Sequence, residues 1–442
     1  MVDSAKYFNS TLLNHTKGFE VSSILSSSIE AVEPGKAVYR YIKREGNQIF
    51  YDRNNLYLDQ FHHVYLLAFG KAALPMSSAL VEILGDHLTA GWVVPKHVDG
   101  KHDTRLIIQP GSHPFPDENS LQAGEMLLNI ANTFQENDLA LCLISGGGSA
   151  LVTAPYEGIS LQDMRELTQQ LLACGARIDE INTLRRHLDR IKGGGLAKKI
   201  SPAKCVSLIL SDVVNSPLEA IASGATAPDP STIDDVFRII EKYELKDKLP
   251  ASIQSHLQKQ LETPKPGDPI FDNVYNIIVG SNELAAQAAM QTAESYGFKT
   301  IDLGNAWQGE ARNVSEILVK NLLKNDVHPA CLIAGGETTV TLRGDGKGGR
   351  NLELALAAVP LLSGHEDVML VTLATDGEDG PTDAAGAVVT GESLERAKKL
   401  GLDPQSYLNN NDSYHFFEKL GDLLKPGPTG TNVNDLIFLF KF

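Results

Sequence analysis

Cysteine is scarce in this chain, with four in 442 residues (Cys142, Cys174, Cys205 and Cys331) and no CxxC pair. That scarcity excludes a disulfide framework and a thiolate zinc site, and three of the four fall in apolar runs suited to reduced core thiols. Long apolar stretches are missing too. Nothing approaches the roughly 18 consecutive apolar residues of a membrane helix. No basic region followed by an apolar stretch opens the chain, so a secretory signal is not expected and a cytoplasmic location is. Positive charge is in deficit, 39 Lys+Arg against 55 Asp+Glu, a formal −16. Such a chain has no general attraction for nucleic acid or anionic membrane, and any anionic ligand must be held by local basic groups. Disorder is excluded by 42% hydrophobic and 21% charged residues, and the length calls for two or three domains. No short-period repeat or low-complexity tract is present.

What the sequence does contain is a recurring unit of apolar run, Gly- or Asp-bearing loop and helical stretch. Val64–Phe69 leads into Gly70-Lys71, Leu139–Ile144 into Ser145-Gly146-Gly147-Gly148-Ser149, and Cys205–Leu210 into Ser211-Asp212. Val274–Val279 leads into Gly280-Ser281-Asn282, Cys331–Ala334 into Gly335-Gly336-Glu337-Thr338, and Val368–Leu373 into Ala374-Thr375-Asp376. Continuous apolar runs between helices predict parallel strands covered on both faces, with ligands at their carboxyl ends. The Pro-rich segment Glu262–Pro269 predicts a domain boundary near 265. Residues 1–60 read as mainly helical.

Standard signatures fail. There is no GxxxxGK[ST] loop and no HExxH, and Leu151 spoils a GxSxG elbow at Ser149. Gly344, Gly346 and Gly349 satisfy GxGxxG ahead of a helical stretch, a weak signal. A phosphate-covering loop is the preferred reading, since Arg350 opens a helix whose amides favour anions. The glycines of Ser145–Ser149 let successive amides point at one anion, carboxylate or phosphate. Lys71, held between an apolar strand and two alanines, suits a phosphoryl group. Ile181–Gly195 is basic, with Leu184, Leu188 and Ile191 on one helical face and a glycine stop at Gly193–Gly195; Arg185 and Lys192 are its candidate anion ligands. Asp212 at a strand end can accept a hydroxyl proton. Asp376, Asp379 and Asp383 either make turns or position Mg²⁺. His113 reads as part of a structural turn before a helix capped by Asp117 or Asn119.

Together, Phe69–Ala73, His113–Asp117, Leu143–Ala150, Asn182–Gly194, Leu210–Val213, Ser223–Pro230, Ala334–Thr338, Gly348–Glu353, Thr375–Gly386 and Gly430–Asp435 resemble the MOFRL-type glycerate 2-kinases. The resemblance runs from about residue 20 to the end. It implies an α/β enzyme of two α/β domains with an interdomain active-site cleft. The N-terminal domain, 1–265, would be a Rossmann-like doubly wound, mostly parallel sheet, and 266–442 the second domain. It implies ATP and Mg²⁺, phosphorylation of D-glycerate, and Lys71, Asp212 and Arg350 as the catalytic residues. Substrate or nucleotide phosphate would be bound by Ser145, Gly146, Gly147, Gly148, Ser149, Arg185, Lys192, Asn282, Gly336, Thr338 and Gly346, with Glu337 and Asp376 at the metal. A monomer or homodimer is expected, without nucleic acid or membrane partners. The alternative is an NAD(P)H-dependent hydroxypyruvate reductase.

Overall fold

The computed structural model describes residues 4–442 and is a mixed α/β fold in two units. The first unit comprises Pro34–Ser211 and Ser216–Val279. The second comprises residues up to Glu33, Asp212–Asn215 and Gly280–Phe442.

The first unit is built on six strands: β1 (His63–Phe69), β2 (Ala90–Val94), β3 (Leu106–Ile108), β4 (Asp138–Ser145), β5 (Lys204–Leu210) and β6 (Val274–Gly280). Their spatial order is β3-β2-β1-β4-β5-β6, and β1, β2, β3, β4 and β5 pair in parallel. All eight residues of β4 are buried, as a central strand covered on both faces requires. The chain order reverses between β1 and β4, so the crevice that such sheets offer to ligands opens where those two strands end. Helices α1 (Ala73–Leu84), α2 (Glu118–Ala131) and α3 (Ile178–Leu188) belong to this unit. Asp117 caps α2 with a capping box, as its position predicts.

The boundary expected at 265 lies instead at 279/280. Glu262–Pro269 is tied inside the first unit: Thr263 Oγ1 donates to the buried Asp229 carboxylate (2.9 Å), and the Asp229 amide donates to the Pro264 carbonyl. The next strand, β6, then completes the first sheet. The start is mainly helical, as expected, over Ser10–Asn14, Gly18–Glu30 and Pro34–Tyr41, but it also holds strands that the sequence did not mark. Ile42–Glu45, Gln48–Tyr51 and Asn54–Tyr57 form an antiparallel three-stranded sheet, in which Ile49, Tyr51 and Leu56 are buried.

The second unit carries β7 (Lys299–Asp302), β8 (Trp307–Glu310), β9 (Ala330–Thr339), β10 (Val368–Ala374), β11 (Gly386–Thr390), β12 (Leu423–Leu424) and β13 (Asp435–Lys441). The order is β7-β9-β13-β10-β11-β12, with β8 also pairing β9. Its apolar runs predict parallel strands, yet only β7 and β8 run parallel to β9; β13 inserts antiparallel between β9 and β10. Burial alone sets the apolar run, and neighbour direction leaves no mark on it. Helices α4 (Asn282–Ser295) and α5 (Arg350–Leu362) belong to this unit. In β13 Phe438 and Phe440 are fully buried, each contributing about 2 kcal/mol of apolar transfer.

Candidate active site

In the first unit the loops after β1 and β4 lock together. The Lys71 amide donates to the Gly146 carbonyl (2.9 Å), and the Ala72 amide donates to Ser145 Oγ (3.0 Å). Gly70 adopts φ +125°, and a Cβ there would meet Ser145 Oγ at 2.1 Å, so only glycine permits the approach. The Ser145 oxygen thereby ties the two loops together as an acceptor. Gly147 is left-handed at φ +81°; a Cβ on it would lie 3.0 Å from His113 Cδ2 and 3.2 Å from Lys71 Cγ. The lysine stem and the imidazole therefore flank this glycine. Among the described residues no acceptor meets the amides of Gly147, Gly148 or Ser149, and no carboxylate pairs with the exposed Lys71. Burial pushes the His113 pKa down to about 4, and the charges of Lys71 and Lys96 add to the shift. His113 is thus neutral at pH 7, beside a pool of positive charge. Sequence reasoning gave His113 only a turn and passed over Lys96; a lone histidine or lysine carries no local mark of such company.

The glycine loop leans on a strained segment. Ala222 and Ser223 are non-glycine residues at φ +48° and +58°, and Ser149 Oγ and Ser223 Oγ lie 2.7 Å apart. Backbone held this way is a mark of functional sites. The basic stretch after Ile181 behaves differently from its pattern. Helix α3 ends at Leu188, short of Ile191, because the buried Asp189 carboxylate takes the Thr153 hydroxyl and the amides of Ala154 and Ile191. Lys192 is buried and donates to Asp189 (2.6 Å) and to the Val152 carbonyl (3.1 Å), so its charge is spent inside the fold and it is corrected from an anion ligand to a structural pair. Arg186 is likewise bound to Asp229 (2.8 Å). Among the described residues Arg185 has no such partner. Asp212 lies two residues beyond the end of β5, half-buried.

In the second unit Arg350 opens α5. Its Nη2 donates to Asp435 Oδ1 (3.1 Å), its Nε donates to the other oxygen of the same carboxylate, and Nη1 lies 3.4 Å from the exposed Glu337. Asn351 Nδ2 donates to Asp435 Oδ1 (2.8 Å). The α5 N-terminus is already filled: the Asp379 carboxylate accepts from the Asn351 amide (3.1 Å) and the Leu352 amide (2.8 Å). That overturns the expectation of a phosphate at these amides. Burial pushes the Asp379 pKa up to about 7, with the Asp435 charge adding to it and the two amides opposing it.

The GxGxxG loop is structural as well. The Gly346 amide donates to the Asn410 carbonyl (2.9 Å), and a Cβ on Gly346 would sit 2.5 Å from that oxygen. Gly344 and Gly346 serve packing on residues 410–412 and Gly349 packs on Asp379, which corrects the phosphate-covering role. Gly336 permits close approach of Trp307, whose carbonyl would lie 2.1 Å from a Cβ. Asn282 donates to the carbonyls of Val433 (2.9 Å) and Asp435 (2.8 Å), steering the strand that delivers Asp435. Thr338 is buried within β9. These three are supports rather than exposed phosphate ligands. Asp376 follows β10, and its Oδ1 accepts from the Glu378 amide (3.2 Å).

Two family models match the chain, a domain of unknown function (DUF4147) over residues 20–258 and the MOFRL family over residues 330–435. A D-glycerate 2-kinase of Thermotoga maritima is 42% identical, the match spanning 94% of this chain and 96% of that protein. A glycerate 2-kinase of Pyrococcus horikoshii is 39% identical over 94% and 95%. The crystal structure of a Thermotoga maritima glycerate kinase superposes with a TM-score of 0.86 at 40% identity, covering 96% of this chain and 99% of that one. The chain belongs to the MOFRL-type glycerate 2-kinase family.

Within this glycerate 2-kinase family chain, the first unit offers free amides and an unpaired ammonium, which suit a phosphoryl or carboxylate group. The second offers a guanidinium whose direction is fixed by acids. Asp379 and Asp435 stand out only in three dimensions, because their partners lie 27 to 85 residues away in sequence.

Proposed function

We propose that this chain transfers the γ-phosphoryl group of ATP to the 2-hydroxyl of D-glycerate, giving 2-phosphoglycerate and ADP. The observation that carries the reading is Lys71, unpaired among the described residues, beside the open amides of Gly147–Ser149, at the switch point of a sheet in a chain matched over 94% of its length by a D-glycerate 2-kinase. That strand order supports a Rossmann-like description of the first domain. Phosphoryl transfer asks for in-line positioning and neutralisation of charge on the moving oxygens. In this proposal Lys71 supplies mobile positive charge and Arg350 a fixed guanidinium. Asp212 orients the acceptor hydroxyl and takes its proton.

Mg²⁺ fits the donors. Among the described residues no three His, Cys, Asp or Glu side chains gather as a dedicated cage. A magnesium ion carried on nucleotide phosphates needs only one or two protein carboxylates. Glu337, exposed, and Asp376, half-buried, are the residues that would hold it. The ion would neutralise phosphate charge. No helix among the described residues is long and apolar enough to cross a membrane.

The test incubates the protein with D-glycerate, ATP and Mg²⁺ and scores product with enolase, alone and with phosphoglycerate mutase. Signal with enolase alone supports the 2-phosphate. Signal only after adding mutase moves the phosphate to the 3-hydroxyl, and silence in both rejects the kinase. The reductase alternative loses the support of the GxGxxG motif, since the Gly346 amide is already bonded and the α5 amides hold Asp379. A fall in NADH absorbance with hydroxypyruvate would revive it.

A further inference from the structure

The basic segment of α3 and its continuation contains five basic side chains that sequence alone could not tell apart. Four are engaged: Arg186 with Asp229, His187 Nδ1 with the Thr183 carbonyl, Arg190 with Glu125, and Lys192 with Asp189. Arg185 is the exception. It is half-buried, and among the described residues no carboxylate, carbonyl or hydroxyl accepts from its guanidinium. Burial draws its pKa down, and its charge in turn disfavours the charged form of Lys192, so the two cations are neighbours. A desolvated cation without a counter-charge is costly, and a fold that keeps one is organised around a partner it does not itself provide.

The surroundings of Arg185 say where that partner sits. Lys192 is bonded to the carbonyl of Val152, which directly follows the short helix Gly148–Leu151. The Gly193 amide donates to the Ser223 carbonyl (2.9 Å), and Ser223 meets Ser149 through their hydroxyls. Arg186, the next residue, reaches the Glu219 carbonyl at the head of the same strained segment. Arg185 is therefore carried by a helix that is braced, through residues 219–224 and 152, against the glycine loop. A guanidinium is a planar fork that matches a carboxylate with two parallel hydrogen bonds. In glycerate the carboxylate is bonded to the carbon that bears the 2-hydroxyl, so the group that holds it must lie close to the phosphoryl-transfer loop.

We propose that Arg185 grips the carboxylate of glycerate and so makes the enzyme select hydroxy acids over neutral polyols. The inference rests on the kinase reading given above and deepens it. Lys71 and the loop amides are left to the phosphoryl group.

The test uses the full chain as wild type, Arg185→Gln and Arg185→Lys. It measures kcat and KM for D-glycerate and for ATP, glycerate binding by calorimetry, and phosphorylation of glycerol as a neutral acceptor. In Arg185→Gln the KM and Kd for glycerate are expected to rise by about 100-fold, the scale of a lost buried charge-paired contact. Arg185→Lys is expected to recover about a tenth of the lost affinity, since the charge stays but the fork is lost. KM for ATP should stay within about twofold, and kcat/KM for glycerol should change little, so the preference for glycerate collapses. The melting temperature should not fall, because no internal bond is removed. An unchanged glycerate KM in Arg185→Gln overturns the assignment. So does an equal rise in the KM for ATP, which would move Arg185 to the nucleotide, or a loss of kcat at constant KM with a lowered melting point, which would make it structural. If Arg185→Gln does not fold, Arg185→Lys decides by the same KM ratio. A wild-type protein that does not phosphorylate glycerate at all defeats the kinase reading first, whereas an active wild type with indifferent variants defeats only the role of Arg185.

Discussion

Lys71 and Arg350 are both basic side chains beside glycine-rich loops, yet the two units treat them differently. Around Lys71 the backbone is tied down by the bonds to Gly146 and Ser145, while the ammonium meets no acid among the described residues. Around Arg350 the guanidinium itself is tied down, with Asp435 and Glu337 on it and Asp379 nearby. The contrast separates two ways of preparing positive charge. A guanidinium held by acids is already oriented and needs no reorganisation, but its charge is largely offset. An ammonium on a fixed stem must still settle, but brings its full charge. Stability should therefore depend on the second arrangement and turnover most of all on the first.

The largest expected effect is in turnover. Lys71→Ala should lower kcat by about 10³-fold or more, the scale of a lost transition-state cation, while stability changes by no more than about 0.5 kcal/mol. Steady-state kinetics alongside a melting curve checks both halves, and a kcat within tenfold of wild type would sink the role of Lys71. Next, Asp435→Ala should cost about 2–3 kcal/mol by urea titration, at the low end for a broken pair because Arg350 is one-third exposed. Were this variant as stable as the wild type, the fixed-guanidinium half of the contrast would fail. Ser145→Ala removes the acceptor of the Ala72 amide and should cost about 1 kcal/mol; a loss of glycerate or ATP affinity with unaltered stability would instead return Ser145 to ligand binding.

The smallest effect is in pH, and it has opposite signs in the two units. The folded pKa of His113 lies below its unfolded value of 6.5, near 4. The stability it contributes is complete above pH 6.5 and is lost as pH falls through 4. The folded pKa of Asp379 lies above its unfolded value of 3.8, near 7. Its contribution is complete below pH 3.8 and is lost as pH rises through 7. Melting temperatures from pH 4 to 8 should show wild type losing ground to His113→Asn at the acid end and to Asp379→Asn at the neutral end. Parallel curves for either variant would remove that group from the balance.

The fold was legible where burial was continuous. All six apolar runs became strands, and the loops after β1 and β4 mark the switch point. Of the strands outside those six runs, Trp307–Glu310 is half-exposed and leaves no apolar run, whereas Asp435–Lys441 is a buried apolar run that no loop and helix follow. Candidate cations were legible as residue types but not as free or paired. Lys192 and Arg185 look alike in sequence, and only the position of Asp189 distinguishes them. Glycine misled most: those at 336 and 346 answer to neighbouring backbone, whereas Gly147 sits between Lys71 and His113, and the letter is the same.

The insertion of β13 between β9 and β10 has a consequence for synthesis. Both flanking strands leave the ribosome long before Asp435–Lys441 does, so each waits with an open, apolar hydrogen-bonding edge of the kind that invites association with other chains. The strand that closes this gap also brings the carboxylate that orients Arg350. A nascent chain therefore gains its finished sheet and its aligned guanidinium in one late event, and an interrupted one has neither.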